Sequence, residues 1–277
     1  MRLNRRGFLL ACLLCLIHSA LGVSTAEARK KETGFLDRVV TVAGSTHKYQ
    51  VFVPENWSPK QKWPIILFLH GAGERGEDGL MQTEVGIATA IRRDRNRFPA
   101  IVVIPQCAKD QWWTQSPMDD VAIATLNAAT KEFHGDATRT YLTGLSMGGY
   151  GTWHLASKYP GRFAALAPIC GGITLPEHLR KQRPELASGT LPDDPKTFAA
   201  VAQKTGQTPV WIFHGGDDPV VSVTESRRMN DALKAVGGDV RYSEYPGVGH
   251  DSWNKAYAEP ELFTWMLSKS LSPSKAK

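Results

Sequence analysis

The sequence is poor in the residue patterns on which metal sites and nucleotide sites depend. It has four cysteines in 277 residues, and two of them, Cys12 and Cys15, lie in an apolar N-terminal run. It contains no His-Glu-x-x-His segment, no pair of Cys-x-x-Cys segments, and no Gly-Lys-Ser/Thr after a glycine-rich turn. These absences argue against a zinc site and a phosphate-binding loop, so we expect neither a metal nor another cofactor.

Also missing is a Lys/Arg block of the kind that nucleic-acid-binding proteins carry, although the chain has a net charge of +6. A protein that binds nucleic acid usually concentrates its Lys and Arg residues, so we expect no nucleic-acid partner. A hydrophobic content of 42% and a charged content of 22% are typical of a globular protein with a sizeable core. None of this indicates an oligomeric state.

The N-terminus has the pattern of an export signal. Three arginines precede a leucine-rich run over residues 7–23, and Ala26-Glu27-Ala28 follows as a small-x-small cleavage site. His18 and Ser19 interrupt the apolar run, which argues against a helix retained in the membrane. The pair Arg5-Arg6 fits the twin-arginine route, and the general secretory route remains the alternative. We therefore expect a cleaved signal at 1–28 and a periplasmic or extracellular bacterial protein.

The remaining residues, 29–277, alternate between strand-like and helix-like patterns. A hairpin pattern covers residues 39–53, and short continuous apolar runs follow it, as is typical of strands buried on both faces of a sheet. These runs are 64–69, 100–104, 140–142, 164–169, 210–213 and 240–245. We predict a single α/β domain with a doubly wound, mostly parallel sheet and an N-terminal antiparallel hairpin. Cys107 and Cys170 follow non-adjacent strands, so we expect two buried thiols rather than a disulfide.

One segment departs from this alternation. Residues 171–209 are rich in proline and charged residues and only weakly periodic, which predicts an irregular insertion beside the functional face of the sheet.

The segment Gly144-Leu145-Ser146-Met147-Gly148 carries the strongest functional pattern. It lies between a strand-like run and a helix-like run, which is the order of a nucleophile elbow in a serine hydrolase. The flanking glycines fit this geometry because larger side chains would clash where strand and helix meet. We predict that Ser146 is the nucleophile.

A serine nucleophile needs an imidazole base and a carboxylate, and in this fold they follow in the order serine, acid, histidine. Of the later histidines, His250 alone lies in a loop after the last predicted strand, and we predict that it is the base. The loop after the preceding strand contains Asp217 and Asp218. We favour Asp218, because Pro219 after it fixes the turn, and expect Asp217 to cap that turn.

Stabilising an oxyanion requires two backbone amides. The residue after the nucleophile, Met147, supplies the first. The second is expected from the glycine-rich loop His70-Gly71-Ala72-Gly73 after an apolar strand, where we select Ala72. We expect His70 to brace this loop rather than to transfer protons.

Three blocks, residues 69–76, 144–153 and 213–218, resemble the α/β-hydrolase superfamily. They look most like secreted esterases related to the dienelactone hydrolases and the phospholipase/carboxylesterase family, which includes predicted peptidases. The resemblance implies the same triad of Ser146, Asp218 and His250, with Ala72 and Met147 at the oxyanion positions. Dienelactone hydrolases proper use a cysteine nucleophile, so the serine here favours ordinary ester hydrolysis.

These observations favour a secreted serine carboxylesterase that forms an acyl-enzyme on short-chain or aromatic acyl esters, including esters of saccharides. An oligopeptidase is the first alternative, but such enzymes usually carry a gating domain, which we do not expect here. A non-catalytic protein that binds carbohydrate or a surface is the second. Trp112, Trp113 and Trp253 are candidate substrate-binding residues, because indole rings in loops near the site could stack on sugars or aromatic acyl groups.

Overall fold

The computed structural model describes residues 32–175, 177–182 and 190–272, so the predicted signal at 1–28 lies outside the described residues. Eight strands form one sheet in the order β1-β2-β4-β3-β5-β6-β7-β8. Their bounds are β1 Gly34–Val42, β2 Ser45–Val53, β3 Trp63–Leu69, β4 Ile101–Pro105, β5 Gly135–Leu145, β6 Ala165–Ile169, β7 Val210–Gly215 and β8 Val240–Tyr245. The helices are α1 Ile87–Arg93, α2 Met118–Glu132, α3 Met147–Lys158, α4 Glu177–Gln182, α5 Pro195–Thr205, α6 Val223–Ala235, α7 Trp253–Ala258 and α8 Pro260–Leu267.

The sheet opens with the predicted hairpin. Ala43 and Gly44 connect β1 and β2 with positive φ angles of 49° and 83°, the backbone that a two-residue hairpin turn requires. β2 pairs antiparallel with β4, and all later pairs are parallel. The predicted doubly wound, mostly parallel sheet with an antiparallel opening hairpin is therefore confirmed.

The core has two halves, one on each face of the sheet. Along β3, Ile65 and Leu67 belong to one buried cluster and Ile66 and Phe68 to the other, since successive strand residues point to opposite faces. Helices α2, α3, α5 and α6 cover the first face, and α1, α7 and α8 cover the second. Cys107 belongs to the first cluster and Cys170 to the second, and both are free thiols, as expected.

The segment 171–209 is not irregular throughout, contrary to the sequence prediction. It contains α4 and the eleven-residue helix α5. Asp194 caps α5 by accepting a hydrogen bond from the Lys196 amide, and Pro195 occupies its first turn. Phe198, Val201, Ala202 and Thr205 form its buried face at helical spacing. The helix is needed because β6 and β7 are parallel neighbours, and parallel strands require a crossover connection.

The carboxyl ends of the parallel strands bring the predicted site residues to one edge of the sheet. His70 follows β3, Ser146 follows β5, Asp218 follows β7 and His250 follows β8. As far as the structure describes the chain, none of its helices is both long and apolar enough to cross a bilayer.

Candidate active site

Ser146 occupies a sharp turn between β5 and α3. Its φ of 52° and ψ of −117° lie in a region that residues with side chains rarely adopt. A Cβ on Gly148 would lie 1.9 Å from the Leu69 carbonyl oxygen, and one on Gly144 would lie 2.3 Å from the Gly148 oxygen. Both positions therefore require glycine, and this close approach holds the strained serine at the edge of the sheet.

His250 connects Ser146 to Asp218. Its Nε2 lies 2.8 Å from Ser146 Oγ, and its Nδ1 lies 2.7 Å from Asp218 Oδ2. The Asp218 carboxylate accepts the Nδ1 hydrogen, which leaves Nε2 as the acceptor for the serine hydroxyl. The Asp218 side chain is fully buried, whereas that of His250 is 19% exposed. The structure thus brings the three predicted residues into one hydrogen-bonded chain.

The Asp218 carboxylate is held on both oxygens. Oδ1 accepts from the amides of Val220 and Val221 at 2.8 and 2.9 Å, and Oδ2 accepts from His250. The Nε2 of His214 lies 3.2 Å from Oδ2 as well. Burial alone would raise the pKa of Asp218, but hydrogen bonds from His214, His250 and the two amides outweigh it and lower that pKa below its usual range.

Asp217 has a different position from Asp218. It is exposed, and its amide bonds the Val248 carbonyl. The turn capping that the sequence assigned to Asp217 is instead made by Oδ1 of Asp218. Asp218 directly precedes Pro219 and its carboxylate is buried, whereas Asp217, one residue earlier, is exposed.

The two predicted oxyanion amides each begin a helix. Met147 is the first residue of α3, and Ala72 is the first residue of a 3₁₀ turn, Ala72–Glu74. Amides at such positions have no partner within their helix and are free to meet another acceptor. A Cβ on Gly71 would lie 3.7 Å from the Cβ of Ser146, so the Ala72 loop runs directly beside the serine. The role of these two amides stays a prediction.

His70 braces that loop from below. Its Nε2 lies 2.9 Å from the Cys107 amide, which must donate, so Nδ1 carries the hydrogen and donates to the Gly71 carbonyl at 2.6 Å. Complete burial lowers the pKa of His70 to about 4, against a smaller raising effect of the hydrogen bond to Gly71. The ring is therefore neutral near pH 7 and suits a brace rather than a proton carrier.

Neither Trp113 nor Trp112 presents the exposed stacking surface that the sequence predicted for it. Trp113 is fully buried and donates from Nε1 to the His70 carbonyl at 3.0 Å. Trp112 is 8% exposed and packs edge-on against Tyr150, with ring centroids 5.8 Å apart. Both indoles fill the core beneath the loops that carry them. Trp253 is half-buried and packs edge-on against the His250 ring, so its substrate role stays a prediction.

A groove of about 410 Å³ runs along α3, and its lining residues do not include Ser146, Asp218 or His250. Tyr150, which lies one helical turn after Ser146, begins its wall, and Trp153 continues it. Ile173, Leu191 and Val201 form the opposite side. Sequence reasoning did not identify this groove, since it depends on how α5 packs against α3.

Within the described residues there is no group of three or more His, Cys, Asp or Glu residues arranged to hold a metal ion.

The sheet order, the strained serine turn and the Ser146-His250-Asp218 geometry define an α/β-hydrolase. The chain belongs to the esterase family described as "Putative esterase", whose profile matches residues 41–264.

Individual relatives agree with this family. A thermostable esterase of known crystal structure is 32% identical, with a TM-score of 0.71 over 85% of this chain and 63% of its own. A bifunctional acetylxylan esterase/xylanase from Neocallimastix patriciarum is 30% identical over 144 residues, which are 51% of this chain and 20% of that protein. An uncharacterized secreted protein from Arthroderma benhamiae is 28% identical over 210 residues, or 70% of this chain and 22% of that protein. This chain therefore spans about one fifth of the length of both curated relatives.

Proposed function

We propose that the protein is an exported serine carboxylesterase that works through an acyl-enzyme. Ser146 is the nucleophile, His250 the general base and acid, and Asp218 the carboxylate that orients His250. The observation that carries this proposal is the chain of hydrogen bonds from Ser146 Oγ through His250 to Asp218, at 2.8 and 2.7 Å. A serine hydroxyl is a weak nucleophile, and this arrangement is what activates it.

Each proton has a defined place in the reaction. As Ser146 Oγ attacks the ester carbonyl, its proton moves to Nε2 of His250, and the carbonyl oxygen becomes an oxyanion beside the amides of Ala72 and Met147. The imidazolium then gives that proton to the departing alkoxide, and the acyl group stays bound to Ser146 Oγ as an ester. A water molecule then reacts in the same way. His250 takes a proton from the water as the water oxygen attacks the acyl carbonyl. Ser146 Oγ then leaves as the hydroxyl, with the proton from Nε2 of His250. Asp218 stays ionised throughout and stabilises the imidazolium.

The substrates we propose are esters of short or aromatic acyl groups, including those of saccharides. In the described part of residues 171–209, the apolar face of α5 packs against the core. A lipase lid instead has a wide apolar face that binds an oil surface. The groove along α3 has room for a compact acyl group or a sugar ring, and one of its wall residues, Tyr150, lies one helical turn after Ser146. The name of the Neocallimastix patriciarum relative, an acetylxylan esterase, supports the saccharide ester as one such substrate.

Export is part of the proposal. The pattern in residues 1–28 supports it, as does the relative from Arthroderma benhamiae, which is named as secreted. N-terminal sequencing of protein from the periplasm or the medium should give a start near Arg29. Replacing Arg5-Arg6 by Lys-Lys should block export only on the twin-arginine route. Full-length protein confined to the cytoplasm would contradict export.

Substrate assays test the activity. The purified protein should hydrolyse p-nitrophenyl acetate, acetylated xylo-oligosaccharides or feruloyl esters, with kcat/KM falling as the acyl chain lengthens. Ser146→Ala should abolish each activity while its circular dichroism spectrum matches that of the wild type. Peptide hydrolysis without ester hydrolysis would favour the oligopeptidase, and activity that rises steadily into long acyl chains would overturn the substrate proposal.

A further inference from the structure

His214 has a buried imidazole that is not one of the three hydrogen-bonded residues Ser146, His250 and Asp218. It lies within β7, is fully buried, and has its Nε2 3.0 Å from the Val221 carbonyl oxygen and 3.2 Å from Asp218 Oδ2. Both neighbours are acceptors, so Nε2 carries the hydrogen of the neutral ring. The ring donates to the Val221 carbonyl, and the same N–H group lies against the carboxylate oxygen that accepts from His250.

The other ring nitrogen is fixed by a helix. Nδ1 of His214 lies 2.6 Å from the hydroxyl of Ser226, which is 2% exposed in the first half of α6. In the neutral ring Nδ1 accepts and the hydroxyl donates, which sets the tautomer that puts the hydrogen on Nε2. The preceding residue, Glu225, anchors this helix turn, since its buried carboxylate accepts from the amides of Ile173 and Thr174 at 2.8 and 3.0 Å.

His214 thus adds a second contact to Oδ2 of Asp218. The amides of Val220 and Val221 bond Oδ1, so the orientation of Oδ2 depends on the groups that contact Oδ2 itself. His214 and His250 both contact Oδ2, at 3.2 and 2.7 Å, and His214 is the more rigid of the two because both its nitrogens are bonded inside the core. A carboxylate held in this way points a lone pair at His250 before any substrate arrives.

We propose that His214 is a positioning residue, which holds Asp218 Oδ2 toward His250 and takes its own tautomer from Ser226. The proposal rests on the proposed function of Ser146, His250 and Asp218. His214 touches none of the reacting atoms, so its loss should lower kcat while KM stays nearly unchanged. A misplacement of about 1 Å in a catalytic group costs roughly 100-fold, which sets the upper end of the effect.

Two variants at position 214 separate this role from simple packing. In His214→Gln the side-chain amide nitrogen can occupy the position of Nε2 and donate to Asp218. In His214→Asn the amide reaches only the position of Nδ1, where it can still bond Ser226. We expect His214→Gln to keep kcat within about fivefold and His214→Asn to lose about 10- to 100-fold, with KM unchanged in both. Equal losses in the two variants would overturn the proposal.

A double-mutant cycle with Asp218→Asn tests whether His214 acts through the acid. The rate of fluorophosphonate labelling reports the reactivity of Ser146 in all four proteins. If His214 works through Asp218, His214→Asn adds less than about a twofold loss once Asp218 is already Asn. A full additional loss in that background would mean that His214 supports the fold instead. Ser226→Ala gives the same cycle with a smaller first loss, and decides the matter if His214→Asn does not fold.

A measurement without substrate keeps this proposal separate from the proposed function. Proton NMR of the resting protein should show the low-field His250 Nδ1 proton shared with Asp218. We expect it to shift or broaden in His214→Asn and to persist in His214→Gln. An unchanged resonance in His214→Asn would overturn the positioning role, whereas a wild type with no ester hydrolysis and no labelling would overturn the proposed function alone.

Discussion

Two buried histidines, each followed by glycine at the carboxyl end of a strand, support opposite sides of the candidate site in different ways. The hydrogen bonds of the His70 ring go to backbone atoms, the Gly71 carbonyl and the Cys107 amide. The His214 ring bonds the side chain of Ser226 and lies against the carboxylate of Asp218. The first shapes a loop, and the second reaches a group that carries charge in the reaction. Although the two local sequences are similar, we therefore expect a substitution of His70 to lower stability and a substitution of His214 to lower turnover.

The acid that His214 contacts gives the largest expected effect. Asp218→Asn should lower kcat by about 10⁴-fold, because a neutral amide neither holds the required tautomer of His250 nor stabilises the imidazolium. Asp217→Asn is the matched control, since Asp217 is exposed and one residue away. Steady-state hydrolysis of p-nitrophenyl acetate measures both variants. A larger loss from Asp217→Asn would reverse the assignment of the acid.

The loop that His70 supports gives the next effect. Ala72→Pro removes one backbone N–H, and proline is tolerated there because Ala72 opens a 3₁₀ turn after an extended Gly71. If the Ala72 amide binds the oxyanion, kcat should fall by about 100- to 1000-fold with little change in KM. Gly73→Ala serves as the control, because a Cβ there meets no atom within 4 Å. Equal rates for Ala72→Pro and the wild type would exclude this amide.

The strands were the part of the fold most readily predicted, since buried parallel strands are continuous apolar runs. The start of β5 was missed because it carries Asp136 and Arg139 before the apolar stretch begins. Helix α5 was missed although Asp194-Pro195 and the spacing of its buried residues signal it. The charged and proline-rich residues around it obscure that pattern.

The candidate site was predicted unevenly for a similar reason. Order along the chain and the turn chemistry at Pro219 were enough to select Ser146, Asp218 and His250. The part played by His214 was not visible, because it depends on Ser226 twelve residues later and on how α6 docks. The burial of Trp113 was likewise set by packing against His70, which a loop sequence does not reveal.

The smallest expected effect is the dependence of stability on the protonation of His70. The folded-state pKa of His70, about 4, lies below the unfolded value near 6.5. Between these values the unfolded chain binds a proton that the folded protein does not, so stability falls as pH falls through this window. The contribution is about 3 kcal/mol, fully present above pH 6.5 and lost by pH 4.

Urea unfolding across this range measures that loss. His70→Gln should flatten the fall in the free energy of unfolding between pH 6.5 and 4, while His134→Asn, at an exposed loop position, should leave it as in the wild type. An identical pH dependence in His70→Gln and the wild type would mean that His70 is not held neutral by burial.

The central claim is that Ser146 is a nucleophile activated by His250, and covalent labelling tests it most directly. The protein is treated with a fluorophosphonate, its intact mass is measured, and the modified peptide is mapped. We predict one adduct per chain on Ser146 in the wild type, no adduct in Ser146→Ala, and much slower labelling in His250→Ala, with all three proteins folded. Equal labelling of the wild type and Ser146→Ala, or an adduct on another residue, would contradict the account.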